Sequence, residues 1–185
     1  ATFYETKYKV ASSLLKPKKK LNKFWYKSKD ELIKNIAYGM DVRKKYKVKV
    51  LTLDKFCRTH SVKTICYLHV DAQGNDLKVI ESLKKFKKCL IKGVAEFPKN
   101  ESLNQYYKEQ SIKKMKKKFE NWNYKIVSID KVQKNLPYTN VFFKNRKISN
   151  NITFSQPKKR IQRMFKRIFA EKINFIDIVL LNFWK

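Results

Sequence analysis

The sequence predicts an α/β fold in which a parallel pair of strands is followed by an antiparallel hairpin. Residues 65–70 and 89–95 are short, continuous apolar runs typical of buried strands. A helix between two such strands favours a right-handed crossover, so we expect the two strands to pair in parallel. Residues 124–129 and 138–143 are two further strands, joined by a connection short enough to require antiparallel pairing.

Composition indicates a folded protein without identifying its partner. The chain has 185 residues, of which 43% are hydrophobic and 14% aromatic, enough for a real core. Its formal net charge of +30 attracts phosphate groups of nucleic acid, lipid or small anions. Lysine far exceeds arginine, which is the pattern that an AT-rich genome imposes on exposed positions. The charge alone therefore specifies no function.

The first third of the chain predicts two strands and a basic loop. Residues 1–8 and 46–53 alternate in polarity and are candidates for pairing. Between them, lysines at 16–20 and the aromatic run 24–26 form a predicted loop. Such a loop can bind single-stranded nucleic acid through charge and stacking. The alternative is a surface loop whose aromatic side chains pack underneath.

Three helices are predicted around and after the first apolar strand. Residues 54–60 form a short helix before it. Gly74 permits a tight turn after it, and Asn75 caps a helix with apolar side chains at Val79, Ile80, Leu83 and Phe86. Residues 106–122 form a longer helix, because four of its apolar side chains have core spacing: Ile112, Met115, Phe119 and Trp122. Its lysines at 116–118 are expected on the solvated side.

Polar side chains gather where the two predicted parallel strands end. His69 lies near the end of the first strand, Asp71 and Gln73 follow it, and Glu96 follows the second. Ligands of open α/β sheets bind outside the carboxyl ends of the strands, so these residues predict a site. Two simpler interpretations stay open: Asp71 as a turn or helix cap, and His69 as a polar side chain on a strand flank.

The C-terminal segment is predicted to be a separate unit. We divide the chain into a domain at residues 1–145 and a helical tail at 146–185. Residues 158–170 form a basic amphipathic helix, and residues 173–184 are apolar but too short to span a bilayer. The tail either attaches to an anionic membrane surface or packs on the domain or a partner. The expected location is cytoplasmic, with peripheral membrane attachment as the functional interpretation of the tail.

The motif around Asp71 resembles that of the FkbM-type methyltransferases. In that family an apolar strand ends in Lys, apolar, Asp, apolar, Glu or Gln, and Gly, and a later strand ends in Glu. Here residues 69–74 read His-Val-Asp-Ala-Gln-Gly, with Asp76, Leu77 and later Glu96. Residues 50–54 (Val-Leu-Thr-Leu-Asp), 1–4 and 12–15 are similar to segments that precede the motif in the family. The resemblance covers residues 1–144, and His69 replaces the usual Lys.

The resemblance implies an S-adenosylmethionine-dependent O-methyltransferase with a Rossmann-like sheet. Asp71 would accept the proton of the acceptor hydroxyl or hold that hydroxyl, and Asp71 and Gly74 would lie at the cofactor. Gln73 would orient substrate or cofactor, Glu96 would support from the adjacent strand, and His69 would be an alternative base. The implied acceptor is a hydroxyl of a sugar, a glycan or a secondary metabolite.

The glycine-rich turn that such a cofactor site needs is missing. The chain has 3 glycines, Gly39, Gly74 and Gly93, and none are clustered. We therefore expect a C-terminal portion of the methyltransferase domain that is inactive alone, with residues 65–70 left as an unpaired sheet edge. The alternative class is a basic nucleic-acid-binding protein without catalytic activity. That alternative explains the charge but not the motif at residues 71–74.

Overall fold

The structure is a computed structural model that describes residues 1–130 and 136–148. Its strands are β1 (Thr2–Thr6), β2 (Val42–Lys47), β3 (Ile65–Val70), β4 (Leu90–Pro98), β5 (Tyr124–Ile129) and β6 (Tyr138–Asn145). Its α-helices are α1 (Lys23–Lys27), α2 (Glu31–Gly39), α3 (Leu53–Thr59), α4 (Asp76–Glu81) and α5 (Ile112–Asn121). Short 3-10 helices cover Lys9–Ala11, Lys84–Cys89 and Glu101–Leu103. The predicted tail helix at 158–170 and the apolar stretch at 173–184 lie outside the described residues.

The main sheet has four strands in the order β3-β4-β6-β5. β3 and β4 are parallel, whereas β6 is antiparallel to both β4 and β5. The predicted parallel pair and the predicted antiparallel hairpin are both confirmed. The sheet is thus mixed, and the fold is α/β.

A hydrophobic core lies between this sheet and the helices α4 and α5. β3 contributes Leu68 and Val70, and the helices contribute a set of fully buried side chains: Leu77, Ile80, Met115 and Phe119. Gly93 of β4 lies close against β3, because an added Cβ would be 2.5 Å from the Leu68 carbonyl oxygen. A glycine is therefore required for β3 and β4 to pack as closely as they do.

A second core cluster involves the N-terminal residues. β1 and β2 form an antiparallel hairpin, as the sequence suggested, although both strands are shorter than predicted. Trp25 of α1 is fully buried, and its ring lies 6.1 Å from that of Tyr138 in β6. Residues 1–47, which we call the N-terminal layer, therefore pack on one end of the main sheet.

The prediction of a loop at the aromatic run was wrong. Asn22 caps α1 by accepting a hydrogen bond from the amide of Phe24 at 2.9 Å, and Asp30 caps α2, a helix that the sequence reasoning missed. Trp25 is buried, so its ring is unavailable for base stacking. The alternative in which aromatic side chains pack underneath is the correct one for this residue.

The predicted strand at residues 46–53 was also misplaced. β2 ends at Lys47, and Val50 and Leu51 are exposed rather than core-facing. The physical reason is the helix that follows. The Thr52 hydroxyl accepts a hydrogen bond from the amide of Lys55 and caps α3, so the chain has to leave the strand before this point.

The predicted helix at residues 106–122 begins only at Ile112. Residues 104–111 form a loop in which Lys108 has a φ of 64°, a left-handed conformation that interrupts a helix. From Ile112 onward the prediction holds, since Met115 and Phe119 are buried and Lys116 and Lys117 are exposed. The error concerns the loop alone.

The two edges of the main sheet differ. β5 is irregular, with a register shift between Ile126 and Ser128, whereas β3 pairs regularly with β4 and carries no lysine, arginine or acid. In the part of the chain described, β3 has no neighbour on its outer side, as predicted. Within the same residues no helix is long and apolar enough to cross a membrane.

Candidate functional site

The parallel pairing of β3 and β4 brings the predicted acids together. Val70 pairs with Ala95, so Asp71 and Glu96 are the next residues on neighbouring strands. Glu96 lies inside β4 rather than after its end, because that strand continues to Pro98. The sequence reasoning therefore found two carboxylates that the fold does place side by side.

Asp76 connects the two strand ends. Its carboxylate accepts hydrogen bonds from the amide of Ala72 at 3.4 Å and from the amide of Glu96 at 3.3 Å. The side chain is 2% exposed, and burial raises its pKa well above the ordinary value, with further contributions from Glu96 and Asp71. Asp76 therefore links the backbone that follows β3 to the backbone of β4 and holds these two segments together.

The turn after β3 is held in an unusual backbone conformation. Gln73 has a φ of 46° and Gly74 a φ of 86°. The Gln73 side-chain amide donates a hydrogen bond to Asp71 Oδ1 at 2.6 Å, and the Ser13 hydroxyl donates to the Gln73 carbonyl oxygen at 2.7 Å. The N-terminal layer thus clamps the turn that presents Asp71.

Gly74 is explained by packing within the chain. A Cβ at this position would lie 2.7 Å from the Tyr106 ring and 3.1 Å from Glu109 Oε1. The Tyr106 hydroxyl donates to the Ala11 carbonyl at 2.8 Å and approaches Gln73 Oε1 at 3.4 Å. Tyr106 therefore connects the turn to the N-terminal layer.

Glu109 is a buried acid that the sequence reasoning missed. Its carboxylate accepts hydrogen bonds from the Tyr106 amide at 3.1 Å and from the Tyr138 hydroxyl. Burial raises the pKa of Glu109 to about 7, although these two hydrogen bonds act in the opposite direction. Sequence reasoning placed it on a helix, but Ser111, directly before the apolar spacing of α5 begins, was the available cap signal.

Glu96 is the carboxyl group of the candidate site whose properties suit proton transfer. Its side chain is partly buried, and burial followed by the charges of Asp71 and Glu109 raises its pKa to about 7. No hydrogen bond between described residues reaches its carboxylate, whereas Asp71 is engaged by Gln73. A carboxyl group with this pKa changes protonation near neutral pH, which suits a general base.

His69 stays at the side of the site. It is partly buried on β3, opposite Val94 of β4, and no hydrogen bond in the described ranges links its ring to Asp71 or Glu96. Among the same residues, no group of three or more His, Cys, Asp or Glu side chains could hold a metal ion. The candidate site therefore consists of Asp71, Gln73 and Glu96. The buried residues Glu109 and Tyr106 support it from within the protein.

These features define an α/β domain with acid and amide side chains at the shared end of two parallel strands. The family model of the methyltransferase FkbM domain matches residues 5–126, and the chain belongs to this family. The matched range includes Asp71, Gln73, Glu96 and Glu109. No curated protein and no solved structure matches the chain.

The buried acids predict a specific pH dependence of stability. Glu109 keeps its proton to about pH 7 in the folded chain but loses it near the ordinary value of 4.5 when unfolded. The folded state therefore binds more protons between these values, and the free energy of unfolding falls as pH rises through the window, levelling off above it. The share of Glu109 is on the order of 3 kcal/mol. Urea unfolding from pH 4.5 to 8 measures it.

Two variants make this prediction specific. Glu109→Gln keeps a side-chain acceptor but removes the titration, so its stability should vary less with pH than that of the unmodified chain. Glu120→Gln changes an exposed acid on α5 and should leave the pH dependence unaltered. An equally steep curve for Glu109→Gln would contradict the assignment.

Proposed function

We propose that this chain is the acceptor-side portion of an S-adenosylmethionine-dependent O-methyltransferase of the FkbM type. The acceptor is a hydroxyl of a sugar, a glycan or a secondary metabolite. The observation that carries the proposal is Glu96, a carboxylate without a hydrogen-bond donor in the described residues and with a pKa raised to about 7. It lies beside Asp71 where the parallel pairing of β3 and β4 ends, within the matched family domain.

In this proposal Glu96 is the general base. Methylation of a hydroxyl requires removal of its proton, and a base whose pKa lies near the working pH does this most effectively. Asp71 holds the acceptor hydroxyl and keeps the pKa of Glu96 raised through its charge. Gln73 orients the acceptor through its amide, because it already bonds Asp71. His69 has no role in proton removal here.

The described residues do not by themselves make a cradle for S-adenosylmethionine. Backbone approach to such a cofactor uses glycines, and all three glycines of this chain are occupied by protein packing. An added Cβ would lie 2.3 Å from Tyr8 Cβ at Gly39, 2.7 Å from the Tyr106 ring at Gly74 and 2.5 Å from the Leu68 carbonyl oxygen at Gly93. In the proposed enzyme the cofactor, which supplies the methyl group, is held by another part of the methyltransferase domain.

The outer edge of β3 is where that other part would add. Natural edge strands are usually blunted by charge, proline or bulges, and β3 has none of these. β5 at the opposite edge is irregular and contains Lys125. This asymmetry supports addition of a further strand beside β3, which would complete a Rossmann-like sheet and bring the cofactor to Asp71.

The proposal predicts the effect of removing the base. In a protein that contains the cofactor-binding part, Glu96→Gln should lower kcat by about 10²- to 10⁴-fold, because the amide cannot accept the proton. The rate of the unmodified protein should rise with pH up to about 7, the pKa of Glu96, and then level off. Transfer of radiolabelled methyl from S-adenosylmethionine to a panel of sugar and glycan acceptors measures both.

Asp71→Asn is the matched variant. It removes the neighbouring charge that helps raise the pKa of Glu96, so the rising limb should move to lower pH. Glu120→Gln should leave rate and profile unaltered. Undiminished methyl transfer by Glu96→Gln would refute the base assignment.

A binding measurement tests the division between the two parts. We expect the chain of residues 1–185 alone to show no micromolar affinity for S-adenosylmethionine in a calorimetric titration, since its glycines are all packed against protein. Micromolar binding by this chain would show that it holds the cofactor itself.

A further inference from the structure

A lysine-lined cleft lies at the opposite end of the main sheet from the carboxylates. It is formed by the 3-10 helix Lys84–Cys89, the end of α5 and the end of β6, and has a volume of about 360 Å³. β4 begins beside it at Leu90 and reaches Glu96 six residues later, about 20 Å along the strand. We call this the lysine cleft, defined by Lys84, Lys85, Lys87, Lys88, Lys147 and Trp122.

The charges around the lysine cleft have one sign. Five lysines line it, and the other lining residues are asparagines and Trp122, with no carboxylate. Positive charges that converge on a concave surface repel one another and concentrate anions. The opposite end of the sheet carries Asp71 and Glu96, so the two sites favour ligands of opposite charge.

Part of the lysine cleft is held in place by hydrogen bonds. Lys87 Nζ donates to the carbonyl oxygens of Glu81 at 2.9 Å and Lys84 at 3.2 Å, and lies 4.8 Å from the Trp122 ring centroid. Asn145 is 3% exposed and accepts from the Lys147 amide at 3.0 Å. Partial burial lowers the pKa of Lys87.

We propose that the lysine cleft binds a phosphate-bearing ligand. Lysine ammonium groups bind phosphate as point charges, and the exposed Lys85, Lys88 and Lys147 all line the cleft. Lys87 is fixed by its carbonyl contacts and contributes positive potential from the wall. This site is independent of the proposed methyl transfer, because its residues and its position differ from those of the Asp71 site.

A simpler role for these lysines is compensation of the α5 C-terminus. Helix C-termini carry partial negative charge, which favours nearby cations. That role predicts a loss of stability when the lysines are neutralised and no saturable anion binding. The following experiment separates the two roles.

The test is a calorimetric titration of the full chain with sodium pyrophosphate at about 0.15 M salt. We expect saturable one-to-one binding. The triple variant Lys85→Gln, Lys88→Gln and Lys147→Gln should bind about tenfold more weakly or worse. A matched triple variant on the exposed side of α5, with Lys113, Lys114 and Lys117 changed to Gln, removes the same charge and should retain the affinity.

The outcomes are distinct. Equal weakening in both triple variants, or no saturable binding in any titration, would overturn the proposal. A second arm measures co-sedimentation with phosphatidate vesicles against phosphatidylcholine vesicles. Given saturable pyrophosphate binding, sedimentation with phosphatidate vesicles but not with phosphatidylcholine vesicles, lost in the cleft variant, would assign the phosphate to a lipid head group. Pyrophosphate binding without vesicle binding would assign it to a soluble ligand. All substituted side chains are exposed, so each variant should fold, and its circular dichroism spectrum is compared with that of the unmodified chain.

Discussion

The buried carboxylate of Asp76 is the constraint on which the site depends. It accepts hydrogen bonds from the backbone of both strand ends, at Ala72 and at Glu96, and so fixes the distance between the residues that those strands present. Burying an acid is unfavourable, and its raised pKa reflects this. Asp76 therefore positions the two segments, whereas the pKa of Glu96 is raised by its own burial and by the charges of Asp71 and Glu109.

The N-terminal layer and the loop at residues 104–111 complete the arrangement from the other side. Ser13 holds the carbonyl of Gln73, and Tyr106 connects the turn to the backbone of Ala11. The Glu109 carboxylate accepts a hydrogen bond from the Tyr106 amide and so holds Tyr106 in position. The site is thus enclosed by segments from three distant parts of the sequence, and the position of Asp71 depends on each of them.

The features that depend on local sequence pattern and on chain handedness could be predicted from the sequence. The apolar runs of β3 and β4 and the crossover between them predicted parallel pairing, and this placed Asp71 beside Glu96. The pattern failed at residues 106–111, where good helix formers are overridden by the left-handed Lys108 and by the bonds of Glu109. The contact between Glu109 and Tyr138 spans 29 residues, and no local pattern signals a contact of that range. The strand predicted through Val50 and Leu51 was wrong for a related reason: the capping of α3 outweighs the alternating pattern, and both side chains are exposed.

The proposed function depends on whether the fold makes Glu96 a base near neutral pH. A direct measurement is the pH titration of the Glu96 side-chain carboxyl carbon by NMR, in the full chain labelled with ¹³C at glutamate and assigned with Glu96→Gln. We expect a midpoint at about pH 7, raised by burial and by the charges of Asp71 and Glu109. A midpoint at the ordinary value of 4.5 would contradict it.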